Sequence, residues 1–228
     1  AGGRLLYLQS SGYGPSHCGN EITRLTFGKS KIRTSALKRR SSISGILSSG
    51  FKEKPYSKYW GTGTFMTEAL TQEALKALDK AKKYNQPFYL YMSHYAIHVP
   101  IDKDVRFYDK YKKKGLSDKE AAYASLIEGM DKSLGDIRDW LEKKGEADNT
   151  IVIFMSDNGG YATGSGWRDE PLYTQNFPLK CGKGSAYEGG IREPMIVRWP
   201  GTVQPGTRCN DYLIIEDFYP SILEMAGI

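Results

Sequence analysis

Residues 150–160 read TIVIFMSDNGG, and the first six form an apolar, β-branched run with no polar alternation. A half-exposed strand alternates polar and apolar side chains, so an unbroken run predicts a strand covered on both faces. Double coverage is the condition of a sheet with helices on each side, which constrains this chain to an α/β architecture. In open α/β sheets, ligands gather just beyond the carboxyl ends of the strands. There the run gives way to Ser156, Asp157, Asn158 and Gly159. Asp157 and Asn158 offer a carboxylate and a carboxamide oxygen to a hard cation, although Asn-Gly is also a common turn signal.

The flanking sequence alternates helical and extended patterns. In the stretch 67–84, Leu70, Ala74, Leu78 and Ala81 lie on one helical stripe, with Thr67 as the expected N-cap. A buried strand is predicted over 88–92. Ser117 and Glu120 then have the spacing of a capping box at the start of a helix. Tyr123, Leu126, Met130, Leu134, Ile137 and Leu141 give that helix an apolar face, and Gly145 is placed to end it. A long helix between two apolar strands is a crossover unit and favours parallel pairing. The long loop 161–179 follows, then a short strand over 195–199. A last helix is expected over 217–225, with Pro220 in its first turn and Gly227 closing it.

Charge is distributed unevenly. The chain has 228 residues and a formal charge of +6. Residues 1–54 hold ten Lys or Arg against Glu21 and Glu53, a local +8, which leaves −2 for the remainder. The basic residues lie in a Ser/Gly-rich stretch without period, so no nucleic-acid partner is expected. No window is apolar enough for a membrane span, and mean hydropathy is −0.51. Cys18, Cys181 and Cys209 show no CxxC spacing. Free thiols and a single Cys181–Cys209 bridge both fit.

Four segments in order resemble the sulfatase family of the alkaline phosphatase superfamily. They are PFYLYMSHYAIHVP (87–100), TIVIFMSDNGG, CGKGSAYEGGIREPMIVRWPG (181–201) and IEDFYPSILEMAGI (215–228). The likeness runs from about residue 56 to 228. It implies an αβα sandwich around a mixed, largely parallel, alkaline phosphatase-like sheet, here the central part with both ends absent. Residues 1–55 are set apart as an atypical basic Ser/Gly-rich segment, either a divergent insertion or an aberrant coding stretch. Residues 56–228 are expected to form a partial catalytic domain.

The family's activity is hydrolysis of a sulfate monoester, which implies a sulfated small-molecule or carbohydrate substrate. The match assigns Asp157 and Asn158 to the metal, with Ca²⁺ favoured over Mg²⁺. Oxygen-only donors suit such cations, whereas zinc prefers imidazole or thiolate. Lys183 matches the sulfate-binding lysine, and His98 the histidine that touches the sulfate and the bridging oxygen. His94 is the weaker histidine candidate, and Glu188–Arg192 is expected to be an architectural ion pair. The nucleophile position is empty, because the C/S-x-P-S-R element that yields formylglycine is missing, as are the family's paired aspartates. A phosphodiesterase or phosphonate hydrolase of the same superfamily, a non-catalytic sulfated-glycan binder and a misread gene product are the alternatives. The family implies a periplasmic, extracellular or lysosomal setting. The sequence leaves the oligomeric state open.

Overall fold

The computed structural model describes residues 4–10, 56–59, 61–98, 100–162 and 174–228. Among the described residues four strands form one sheet: β1 (Arg4–Ser10), β2 (Tyr89–His94), β3 (Thr150–Ser156) and β4 (Met195–Arg198), in the spatial order β2-β1-β3-β4. β1 runs parallel to both β2 and β3, and β4 closes the other edge antiparallel to β3. The helices are α1 (Met66–Lys83), α2 (Tyr108–Lys112), α3 (Asp118–Lys143), α4 (Glu188–Ile191) and α5 (Phe218–Met225).

The alternation of the pleat divides the core into two layers. Leu90 and Met92 of β2 and Val152 of β3 meet Ala74, Leu78 and Ala81 of α1 and Ile137, Trp140 and Leu141 of α3. On the other face Ile151, Ile153 and Met155 pack with Met195, Val197 and, from α5, Phe218, Ile222 and Met225. β3 is therefore clad on both sides, as its unbroken apolar run requires. Ile153, Ile137 and Leu78 are almost wholly buried, and each such side chain contributes roughly 1.5–3 kcal/mol by leaving water. The αβα sandwich is the expected one, and its sheet is mixed and largely parallel.

The helix ends follow their local sequence signals. Ser117 accepts from the Glu120 N–H, and the Glu120 carboxylate accepts from the Ser117 N–H, so α3 opens on a complete capping box. Gly145 (φ 66°) and Gly227 (φ 76°) adopt the left-handed conformation just past α3 and α5.

Three details differ. α1 begins at Met66 after Phe65 and has no side-chain cap. Thr67 is buried inside the first turn, where its carbonyl accepts the Thr71 hydroxyl at 2.7 Å. β2 lies slightly later than expected; Phe88 precedes it and packs edge-on against Trp140, 6.4 Å between ring centroids.

The third difference concerns sheet order. β2 and β3 are parallel, but β1 lies between them. Nothing in the pattern of RLLYLQS marks it as a strand. Its leucines are equally at home in helices, and its place in the sheet depends on partners about 80 and 146 residues away. Apart from β1, the segment 11–55 and its separate status fall outside the described residues, as does 163–173 of the long loop. Among the described residues no helix is long and apolar enough to cross a membrane.

Candidate functional site

Three parallel strands end level with one another: His94 of β2 pairs with Ser10 of β1, which pairs with Ser156 of β3. Residues just beyond these ends share one edge of the sheet. Asp157 and Asn158 leave β3 there, and His98 lies four residues past the end of β2. With β1 intervening, the ends of β2 and β3 are two strand spacings apart, about 10 Å.

The β3 exit is held by short local bonds. Ser156 Oγ donates to the Asn158 carbonyl at 2.9 Å, and Asn158 Nδ2 donates to the Gly159 carbonyl at 3.1 Å. With Nδ2 occupied as a donor, Oδ1 is the amide atom left for a cation. Asp157 is partly buried, and its Oδ1 is shielded from water.

Lys183 reaches this exit through the backbone. Its N–H donates to the Gly160 carbonyl at 2.9 Å, which seats the CGKG turn on the loop that follows Asp157 and Asn158. Gly159 donates to the Gly190 carbonyl at 3.0 Å, and Gly189 to the Lys180 carbonyl at 2.9 Å. Backbone lies directly on backbone here: a Cβ on Gly159 would overlap the Gly189 carbonyl, and one on Gly182 would overlap the Gly160 carbonyl. Gly159, Gly182, Gly189 and Gly190 thus have one cause in common, close backbone approach, whereas Gly184 serves the left-handed φ of 86° in the lysine turn. The neighbouring ammonium of Lys180 sits 3.9 Å from the centre of the Tyr187 ring.

Strained backbone flanks two of the expected residues. Ile97, next to His98, has φ 57°, and Cys181, two residues before Lys183, has φ 63°. A left-handed conformation costs of order 1–3 kcal/mol for such residues. His98 is buried, its N–H donates to the Tyr95 carbonyl at 3.0 Å, and its ring lies 5.3 Å from that of Tyr95.

His94 points elsewhere. It faces the α1/α3 layer, 1% exposed, with Nε2 3.4 Å from Ser133 Oγ, which also accepts the Thr71 hydroxyl at 2.6 Å. Burial holds its pKa down to about 4. It is a neutral core histidine. Glu188 and Arg192 form the expected pair at 3.0 Å, exposed to solvent. Cys181 and Cys209 are both free thiols.

Two residues escaped the sequence reading. Extending the β3–β4 register past Met155↔Met195 sets Glu193 opposite Asp157. Glu193 Oε1 is buried without a hydrogen bond, and burial, then the charge of Asp157, pushes its pKa up to about 7. Like charges facing across a strand pair repel unless a cation lies between them. Together with the oxygen-only donors Asp157 and Asn158, this arrangement fits a hard divalent cation. The second residue is Asn176, whose Nδ2 lies 3.1 Å from the Gly160 carbonyl, 3.1 Å from that of Cys181 and 2.9 Å from that of Gly189.

Comparison with known proteins decides the family. The sulfatase family model matches residues 26–228. The chain belongs to the sulfatase family. The match begins some thirty residues before the point at which sulfatase motifs are legible by eye. A sulfatase of Formosa agariphila is 35% identical over 179 residues, covering 73% of this chain and 31% of that protein. Human N-acetylgalactosamine-6-sulfatase is 32% identical over 163 residues, covering 72% and 29%. The crystal structure of Ps i-CgsB in complex with k-i-k-neocarrahexaose superposes with a TM-score of 0.64 at 35% identity, covering 72% of this chain and 34% of that one. The sulfatase chain described here thus spans about a third of the length of these relatives, and its architecture is part of an alkaline phosphatase-like fold.

Proposed function

We propose that this chain is the part of a sulfuric ester hydrolase that holds the metal and the sulfate group. The observation that carries the reading is the 2.9 Å bond from Lys183 N–H to the Gly160 carbonyl. It joins the lysine turn to the loop that begins with the acid and amide at the end of β3. Asp157 and Asn158 would hold a calcium ion, which when bound polarises the sulfate oxygens. Lys183 supplies a compact positive charge for the same anion. His98, on the same edge, would hold or protonate the leaving oxygen. A sulfated carbohydrate is the favoured substrate class, because a relative at 35% identity is known in complex with k-i-k-neocarrahexaose. An aryl sulfate serves as a surrogate.

The chain contains no C/S-x-P-S-R element and therefore no formylglycine nucleophile. A second reading, a sulfated-glycan binder without turnover, needs only the anion site formed by the lysine turn and the β3 exit. Both readings share the anion site and differ in the fate of the ester.

Isothermal calorimetry tests the shared part. Two strand-end ligands, even with Glu193, leave most of calcium's six to eight positions to water, so affinity for calcium is expected to be weak. Sulfate binding in the presence of calcium is expected to fall at least ten-fold in K183A and in D157N. Equal sulfate affinity in all three proteins would refute the site. With a chromogenic aryl sulfate, negligible turnover is expected from this chain. Multiple turnovers dependent on Lys183 would show that a nucleophile exists outside the family's element.

A further inference from the structure

The Asn176 carboxamide lies where the three glycine-rich segments meet. Its Nδ2 is within 3.1 Å of the carbonyls of Gly160, Cys181 and Gly189, with two N–H hydrogens shared among three acceptors. Each carbonyl comes from a different segment: Gly160 from the loop after Asp157 and Asn158, Cys181 from the lysine turn, Gly189 from α4. The amide is therefore a single knot between the metal loop and the lysine turn. The packing leaves no slack around it. A Cβ on Gly160 would come within 2.5 Å of Asn176 Oδ1, and one on Gly182 within 2.8 Å of Nδ2. The backbone is also bent to suit, since Cys181 presents its carbonyl from a left-handed conformation.

We infer that Asn176 is a positioning residue of the anion site, which sets the height of Lys183 above the Asp157–Asn158 loop by binding all three carbonyls at once. The inference rests on the function proposed above. Asn176 does not touch the anion itself; it acts through Lys183. The chemistry is specific to a carboxamide. An aspartate at this place would set a negative charge against three carbonyl oxygens, and serine would supply one donor where two hydrogens are now used.

The test measures sulfate affinity by calorimetry in the presence of calcium for the unaltered chain, N176D, N176S, K183A and N176D/K183A, with thermal melts to establish folding. N176D is expected to weaken sulfate binding at least ten-fold while still melting cooperatively, with N176S intermediate. The double variant is expected to bind no more weakly than K183A alone, because the asparagine acts only through the lysine. Binding by N176D equal to that of the unaltered chain would overturn the inference, and so would losses that multiply in the double variant. If neither N176D nor N176S folds, the residue is architectural and the inference falls. If the unaltered chain binds no sulfate, the proposed function falls first. If K183A loses binding while N176D keeps it, only the role of Asn176 is lost.

Discussion

Two histidines four residues apart on one segment have opposite fates, and the pleat decides between them. His94 is the last residue of β2 and points with Leu90 and Met92 into the α1/α3 layer, where Thr71 and Ser133 form a polar pocket. Its folded pKa, about 4, lies below the ordinary value of 6.5. Between these values the unfolded chain takes up a proton that the folded chain refuses, so the stabilising contribution is complete above pH 6.5 and disappears as pH falls towards 4. The predicted loss is on the order of 3 kcal/mol across that window. Urea denaturation of the unaltered chain and of H94Q at pH 7 and pH 4.5 checks it: the decline should be smaller in H94Q, and identical declines would contradict the account. Asp157, Asn158, Lys183 and His98 are named as candidates through the resemblance of their segments to sulfatase motifs, each of which follows a strand or turn visible in the sequence. Glu193 could not be named, since its opposition to Asp157 exists only once β4 is known to be antiparallel to β3. Asn176 was hidden for a different reason: asparagine in a loop is ordinarily a turn residue, and nothing in the sequence marks three distant carbonyls as its partners.

Elements governed by local chemistry were the legible ones. The Ser117–Glu120 box, the Gly145 terminus and the apolar stripe of α3 are all encoded within a few residues of where they act. S117A should therefore cost about 1 kcal/mol, read as a lowered denaturation midpoint with an unchanged urea dependence. No change would mean that the packing of α3 against α1 fixes its start without help from the cap. β1 shows the opposite case. Its seven residues acquire a central place only through β2 and β3, and that long-range pairing leaves little trace in a short leucine-rich run. The Thr67 cap failed for a related reason, because burial beneath the helix pair outweighed the capping tendency of an exposed threonine.

At the scale of the molecule, one edge of the sheet gathers the loop after β3, the lysine turn and α4 by glycine-to-glycine contact, with His98 two strands away. The strand between contributes no carboxylate: β1 ends at Ser10, and the first acidic residue of the chain is Glu21. This is why calcium affinity is expected to be weak although Glu193 lies close enough to Asp157 to feel its charge. The central claim is that the cation ligands and the ammonium of Lys183 address one anion. A crystal structure grown with calcium and selenate, read from the anomalous signal of selenium, tests it most directly. The account predicts selenate within hydrogen-bonding distance of Lys183 Nζ and sharing an oxygen with a calcium bound by Asp157 and Asn158. Selenate at any other place, with Lys183 turned to solvent and calcium apart from it, would contradict the account.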